Sequence, residues 1–476
     1  MALQGCYCAK PVELLTQETM ETIHTRSLEI LEETGVVFQW EPALKVLKGA
    51  GCHVDFEKQL VKFPRDVVGE ALKSCPSTFR VKARDPKYDL EFARNRVYFS
   101  TQAAPFMYDL DNGVRRSATI KDIDEIITIQ DALEYIHAPF VSVIILSDKP
   151  MELTMEWLLA EQIRHTTKSC IGAGFFFAAK WSIEMARAAG IELLGVGTCS
   201  PPLTYPADQC DGYMRYAETG WNIMINSGVS SGATGPATLA GTLLLQNAEL
   251  LAGLILVQVV RPGIGFIYGT ESMPMDMRHG HEAIGIEQYM IGAATAQMAR
   301  FYNIPSFTYA SFTGGKLPTD QQVGYEKAMA SLLLAQSGVS YIVGGGGIDD
   351  EACYSIEQLV IDNEMYGMVA RYLEGIKVDE ETLAADLIKK VGPIPGNYLR
   401  EAHTRKLWKQ EQYLPTLSYR KSYEEWLKEG SKDVAARAKE RAKEILRTHQ
   451  VPPLPEEVDR EIAKILEAAE KEKVKK

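Results

Sequence analysis

Seven aromatic residues mark the places where this chain of 476 residues could do chemistry: Phe106, Tyr108, Phe176, Tyr205, Tyr268, Tyr309 and Phe312. They lie in or just after short apolar runs, and Met273 and Met275 stand among them. A ring of aromatic faces suits a quaternary ammonium, whose diffuse charge neither donates nor accepts hydrogen bonds. Each cation–π contact contributes about 0.5–2 kcal/mol once desolvated. Plain packing of a loop layer would use the same residues. The same loops also offer Glu271, Arg278, His281 and Lys316.

The run Gly344, Gly345, Gly346 and Gly347 closes the last apolar stretch. Glycines there expose backbone N–H groups and allow close approach by a ligand. A phosphate cradle and a flat floor for a bulky planar ligand both fit that pattern. Metal signals are weak. His279 and His281 stand near Asp276 and Glu282, and Cys6 and Cys8 have no matching pair nearby. Zinc needs three or four ligands in tetrahedral reach, so no metal site is expected. Neither an HExxH helix nor a phosphate-binding P-loop occurs.

Such loops need a frame. Eight apolar, β-rich runs recur: VYFSTQA (97–103), APFVSVII (138–145), KSCIGAG (168–174), ELLGVGT (192–198), NIMINSG (222–228), GIGFIYG (263–269), IPSFTYA (304–310) and SYIVGGG (340–346). Helical stretches separate them, at 119–132, 151–166, 178–189, 236–260, 281–302, 319–337 and 356–374. This alternation predicts an α/β fold, a (β/α)8 TIM barrel over 97–375. Its active site would sit at the C-terminal strand ends, where the residues above fall. A doubly wound open sheet is the alternative, but no phosphate fingerprint follows the first strand.

Residues 1–96 read as an N-terminal, mainly helical module, with helices opening near Thr16, Glu41 and Arg65 and a hairpin in CHVDFEKQLVKF. Residues 376–476 read as a C-terminal helical extension. VAARAKERAKEIL (434–446) and a helix opened by Pro455 form an arm that would lie on the barrel or on a second subunit.

Asp plus Glu number 63 against 51 Lys plus Arg, a net charge of −12, so neither nucleic acid nor a membrane surface is an expected partner. The most apolar stretch, 238–260, carries Gln246, Asn247, Glu249 and Gln258, which suit a buried helix rather than a lipid-exposed one. The opening MALQGCYCAK lacks the pattern of a signal peptide, and the 8 cysteines are too scattered for a disulfide scaffold. A reducing cytoplasm is the expected location.

Three longer segments resemble the trimethylamine methyltransferase family: SSGATGPATLAGTLLLQNAELLAGLILVQVVRPGIGFIYGTESMPMDMRHG (230–280), TGGKLPTDQQVGYEKA (313–328) and IEQLVIDNEMYGMV (356–369). The resemblance runs in order through most of residues 11–375. It implies a (β/α)8 barrel that moves a methyl group from a methylated amine to the Co(I) of a corrinoid protein. The archetype carries pyrrolysine near the barrel mouth. This chain has none, and the corresponding loop reads Phe312-Thr313-Gly314-Gly315-Lys316. Similar proteins without pyrrolysine act on glycine betaine and other betaines. A quaternary ammonium already holds a neutral amine as leaving group, so positioning carries much of the work.

The resemblance therefore implies a betaine:corrinoid protein Co-methyltransferase of methanogenic or acetogenic metabolism, with glycine betaine as first substrate and dimethylglycine as product. Proline betaine, carnitine and γ-butyrobetaine are alternatives, and so is a non-catalytic barrel that binds quaternary amines. Glu271 would be the catalytic carboxylate and the seven aromatics the cage. Arg278, His281 and Lys316 would serve the substrate's carboxylate. The corrinoid (cobalamin) would arrive on a partner protein and dock over Gly344, Gly345, Gly346 and Gly347, with no cofactor tightly bound. A homo-oligomer is compatible with this picture.

Overall fold

The structure is a computed structural model that describes residues 5–140, 144–309 and 312–474. Seven strands carry the frame: β1 (Arg96–Thr101), β2 (Cys170–Ala173), β3 (Leu193–Cys199), β4 (Ile223–Ser227), β5 (Phe266–Thr270), β6 (Ser306–Tyr309) and β7 (Tyr341–Gly345). Each falls on one of the predicted runs. All six pairings between them are parallel, in the order β1-β7-β6-β5-β4-β3-β2. The short strand Cys6–Tyr7 adds an eighth, antiparallel to β1.

The remaining predicted run, 138–145, touches β1 through a parallel bridge from Ala138 to Ser100. Its Val141, Ser142 and Val143 lie outside the described residues, as do Ala310 and Ser311. The fold is thus α/β, an eight-stranded curled sheet wrapped by helices. Among the described residues no pairing closes the sheet between 138–145 and β2.

Eight helices alternate with the strands: α1 (Ile120–Ala132), α2 (Thr154–His165), α3 (Ala179–Ala189), α4 (Ala207–Thr219), α5 (Leu239–Val260), α6 (Ile286–Phe301), α7 (Gln321–Gln336) and α8 (Ile356–Leu373). A capping box starts α1, where Thr119 and Asp122 each satisfy the other's backbone N–H. The sequence reading missed α4. Its polar surface hides an apolar stripe of Cys210, Tyr213, Tyr216 and Ala217, spaced for one helical face and buried. Mostly apolar, α5 has the length and composition to cross a membrane, yet 78% of that window is buried inside the protein. Its polar residues are all bonded internally. Gln246 donates to Thr295, Asn247 to Ser27, and Glu249 accepts from Ser227 and Leu203.

Strand parity divides the core into two clusters. Ile171, Leu194, Val196, Met224 and Ile267 share one, Cys170, Leu193, Ile223, Ile225 and Phe266 the other. Adjacent residues of a strand point to opposite faces, so one set fills the inside of the curl and the other meets the helices. At the N-terminal side, helices Gln17–Glu29, Glu41–Gly49 and Arg65–Ser74 and the hairpin of His53–Asp55 with Leu60–Lys62 all form. Toward the other end, α9 (Val434–Thr448) buries Ala435, Ala438, Ala442 and Ile445. The final helix, α10 (Glu456–Lys473), buries Ile462, Ile465, Leu466 and Ala469. It is held on the central fold by two ion pairs of 2.7 Å each, from Lys180 of α3 to Glu472 and from Lys473 to Glu156 of α2.

Candidate active site at the C-terminal strand ends

A cavity of about 260 Å³ opens where the strands end. Phe140, Phe175, Phe176, Phe307, Tyr309 and Met155 make its apolar wall, and Thr198, Asn226 and Glu271 its polar part. Parity again explains the membership. Phe307 and Tyr309 sit two apart on β6, as Val196 and Thr198 do on β3, so each pair faces the same space.

Tyr309 is the hub of the wall. The rings of Phe312, Phe140 and Phe307 lie 4.9, 5.9 and 6.0 Å from its own. Its hydroxyl accepts the Ala103 N–H at 2.9 Å, which fixes the ring. After β2 the chain turns through Phe175, Phe176 and Phe177. Both Phe176 and Phe177 hold φ at +54°, a conformation that bulky residues adopt only under constraint. The Phe176 N–H donates to Asp208 at 2.8 Å, and the ring stays 61% exposed at the rim. Strain here holds an aromatic face at the entrance.

Glu271 follows β5 directly. Its N–H donates to Ser227 O at 2.9 Å, and its Oε1 accepts from Thr198 Oγ1 at 3.1 Å. A Cβ at Gly228 would come within 2.8 Å of that oxygen, so the close approach needs glycine. Burial pushes the carboxyl up to about 7, helped by the charge of Glu282 and opposed by hydrogen bonds from Thr198 and Asn226. Among the described residues no Lys, Arg or His lines the cavity. The space is aromatic, acidic and free of positive charge, which is what a cationic ligand requires.

The structure brings together Glu271, Phe176 and Tyr309 from the sequence-derived set, with Phe312 directly behind Tyr309. The others lie elsewhere. Tyr205 stacks on Phe38 at 4.9 Å, and its hydroxyl bonds Glu249 O. Tyr268 has the wrong parity. It points out toward α5, where its hydroxyl donates to Asn247 Oδ1 at 2.6 Å. Phe106 and Tyr108 belong to a rim sheet formed by Phe106–Asp109, Val114–Arg116, Gly347–Ile348 and Cys353–Tyr354. There they pack beside Val323, Ile348 and Cys353.

The three basic groups are also displaced from the cavity. Arg278 has a side chain 82% exposed and bonded to Asp276 at 2.7 Å. His281 is exposed on a two-residue strand opposite Asp276. Lys316 is held by Asp349 at 3.0 Å and by Asp350. Arg278 and Lys316 each have an acidic partner close in sequence or across a loop, and that local pairing keeps them at the surface. Gly344, Gly345, Gly346 and Gly347 are buried. The Gly346 N–H donates to Asp362, Lys327 Nζ takes the carbonyls of Gly344 and Gly347 at 2.7 and 2.9 Å, and a Cβ at Gly347 would collide with Gln102. The run is a packed turn with no open face, so it offers no floor to a planar cofactor.

Sequence reasoning also overlooked useful signals. Thr198 and Asn226, at the ends of two strands, and Phe307, two residues before Tyr309, were all legible from strand position. Gly228-Val229-Ser230-Ser231-Gly232 has the spacing of a serine-nucleophile turn, but Ser230 Oγ reaches Glu282, at 3.5 Å, rather than a histidine. His279 pairs with Asp276 at 3.1 Å on the surface. The metal-capable trio among the described residues is Asp124, Glu161 and His165, remote in sequence from this loop, where Arg164 already binds Glu161 at 2.7 Å.

Comparison with known proteins adds the following. The family model described as trimethylamine methyltransferase (MTTB) matches residues 6–473. The glycine betaine methyltransferase of Desulfitobacterium hafniense (strain Y51) is 36% identical over 459 residues, covering 94% of this chain and 95% of that protein. The trimethylamine methyltransferase MttB of Methanosarcina thermophila is 32% identical over 475 residues, covering 96% of each. Among solved structures, the hydroxylamine complex of MtmB aligns over 98% of this chain and 95% of its own, with a TM-score of 0.50 at 13% identity, a likeness of fold alone.

Proposed function

Since the chain belongs to the trimethylamine methyltransferase family and is a methyltransferase, we propose that it carries a methyl group from a quaternary amine to the Co(I) of a corrinoid protein. The observation that carries this reading is the cavity itself, walled by Phe140, Phe176, Phe307 and Tyr309 with Glu271 and no basic side chain among the described residues. Co(I) supplies the nucleophile, and the corrinoid comes with a partner protein rather than staying bound here. Everything else falls to this chain.

The aromatic faces hold the ammonium and keep water away from it. Glu271 sets the charge of the pocket. As the methyl departs, positive charge leaves nitrogen, so an over-tight acidic cage would oppose the reaction. A carboxyl pushed up to about 7 is a moderate attractor of that kind. No proton has to be moved, because the leaving group is a neutral tertiary amine. The dominant contribution is orientation, one methyl directed out of the mouth past Phe176.

Glycine betaine keeps the support of the relative named for it. Among the described residues the cavity supplies a place for its methyl end and no basic side chain for its carboxylate. We read the curled sheet as a (β/α)8 barrel, because seven parallel strands follow one another around it in order. Eight free, buried cysteines agree with a reducing cytoplasm. The reading is tested by following methylation of Co(I) in a corrinoid protein with a panel of methylated amines. Transfer from a quaternary amine supports it, and no transfer from any of them refutes it.

A further inference from the structure

The three most exposed large apolar residues among those described are Ile394, Ile376 and Leu399, at 94, 87 and 86%. Val378, Leu383 and Ile388 lie between them in sequence and are each more than half exposed. The stretch that carries all six is regular chain. A capping box of Asp379 and Thr382 opens the helix Glu380–Leu383, and the helix Ala385–Val391 follows. Neither buries a single residue against the described residues. Helices of one or two turns do not hold their shape in water unless something covers them. On one side the stretch is tied to the helix Ala402–Glu411 and its cap. His403 Nε2 bonds Glu381 O at 3.0 Å, Lys390 pairs with Glu401 at 3.0 Å, and Lys406 pairs with Glu381. These ties are polar and leave the six apolar side chains in solvent.

Position, charge and shape identify what covers them. The stretch begins where α8 ends, on the side of the sheet opposite the amine cavity. Its root adjoins a second cavity, of about 560 Å³, whose wall includes Lys377 and Arg96, the first residue of β1. A corrinoid protein bringing Co(I) to the amine works at the other end of the strands. Residues 376–399 hold Lys377, Lys389 and Lys390 against Asp379, Glu380, Glu381 and Asp386, a net charge of −1 within a chain of −12. Each of these lysines already pairs with an acidic residue, at 2.6, 3.1 and 3.0 Å, so no basic cluster addresses lipid or nucleic acid. Two copies of an acidic chain repel over most of their surface, but hardly at all here. The second cavity also has Cys6, Tyr135, Ala370 and Leu373 in its wall, an apolar recess beside the protruding side chains. A two-fold axis presents the knobs of each copy to the recess of the other, so one patch serves both. The length of the stretch matches the roughly 20–30 residues that a stable interface takes from each partner.

We infer that residues 376–399 form a two-fold interface in which a second copy of this chain covers Ile376, Ile394 and Leu399. The interface is remote from the amine cavity, and the inference is independent of the substrate.

The test is the mass of the full chain in solution, measured by light scattering after size-exclusion chromatography at micromolar concentration. The wild type should have twice 52.9 kDa or another even multiple of it. Ile394→Asp combined with Leu399→Asp should halve that mass and leave the far-UV circular dichroism unchanged, because neither side chain belongs to the core of one copy. A wild type of 52.9 kDa, or a double variant that keeps the wild-type mass, would overturn the inference. Should the double variant fail to fold, hydrogen exchange of the wild type decides. Amides of 380–391 should exchange at least about a hundredfold more slowly than in a free peptide of the same sequence. Exchange at the peptide rate would show that nothing covers these helices and would overturn the inference.

Discussion

Thr198 Oγ1 donates to Glu271 Oε1 at 3.1 Å, joining the end of β3 to the residue just past β5 across the cavity. The bond stabilises the ionised carboxylate against burial, which pushes the other way. The balance leaves Glu271 poised at about 7, so substrate affinity is tied to pH.

The sign of that dependence is fixed by the shift. Below about 7 the free carboxyl is protonated, and a cation has to displace the proton to pair with it. Affinity for a quaternary ammonium should therefore rise with pH and level off above that value. Between the plateau and pH 6 the loss should be about tenfold. Titration calorimetry at pH 6, 7 and 8 reads this directly, and Glu271→Gln should flatten the profile. A wild-type affinity that is constant over the range would show that Glu271 does not face the cation.

Replacing Thr198 by Val removes the donor while keeping the shape. The midpoint of the same profile should move up by roughly half a unit to one unit. A midpoint that stays put, or moves down, would mean that the bond does not tune the carboxyl.

Phe176 offers a face to the ligand and little to the fold, since it is 61% exposed in a left-handed conformation. Phe176→Ala should leave stability within about 0.5 kcal/mol of the wild type. Affinity for tetramethylammonium should fall by about 3–30-fold, the worth of one cation–π contact. Unaltered affinity would remove Phe176 from the cage.

Arg278 points into solvent and is bound to Asp276. Arg278→Ala should therefore leave glycine betaine binding within about twofold, since exposed ion pairs contribute little. A large loss of affinity in this variant would place the substrate's carboxylate on that loop after all.

Lys327 and Asp362 form an ion pair with both side chains at 0% exposure, 3.0 Å apart, and Lys327 also holds the glycine turn. Lys327→Met strands Asp362 and should cost about 3–5 kcal/mol of stability. Denaturant unfolding measures it, and a loss under about 1 kcal/mol would show that the turn is held by other contacts.

The frame was legible because strand runs and helices announce themselves by period. GIGFIYG and its counterparts fixed where the cavity would open, before any contact was known. The site was legible only in part, for reasons that individual residues make clear. Phe176 and Tyr309 follow from strand ends, whereas Tyr268 is one residue out of phase and turns to Asn247. Arg278 and Lys316 sit in the right loops, but local pairing with Asp276, Asp349 and Asp350 keeps them from the cavity. The left-handed turn of Asp349, Asp350 and Glu351 gave no sequence signal, because three successive non-glycine residues at positive φ are a conformation that composition and periodicity do not encode.

The most direct measurement is methyl transfer itself, followed by the absorbance change of Co(I) cobalamin in a corrinoid protein mixed with the full chain. Choline, tetramethylammonium, glycine betaine and trimethylamine are each offered to the wild type and to Glu271→Gln. The account predicts transfer from at least one quaternary amine, slower trimethylamine turnover, and a loss of about tenfold or more in Glu271→Gln. Turnover of trimethylamine as fast as of every quaternary amine, or undiminished transfer by Glu271→Gln, would contradict it.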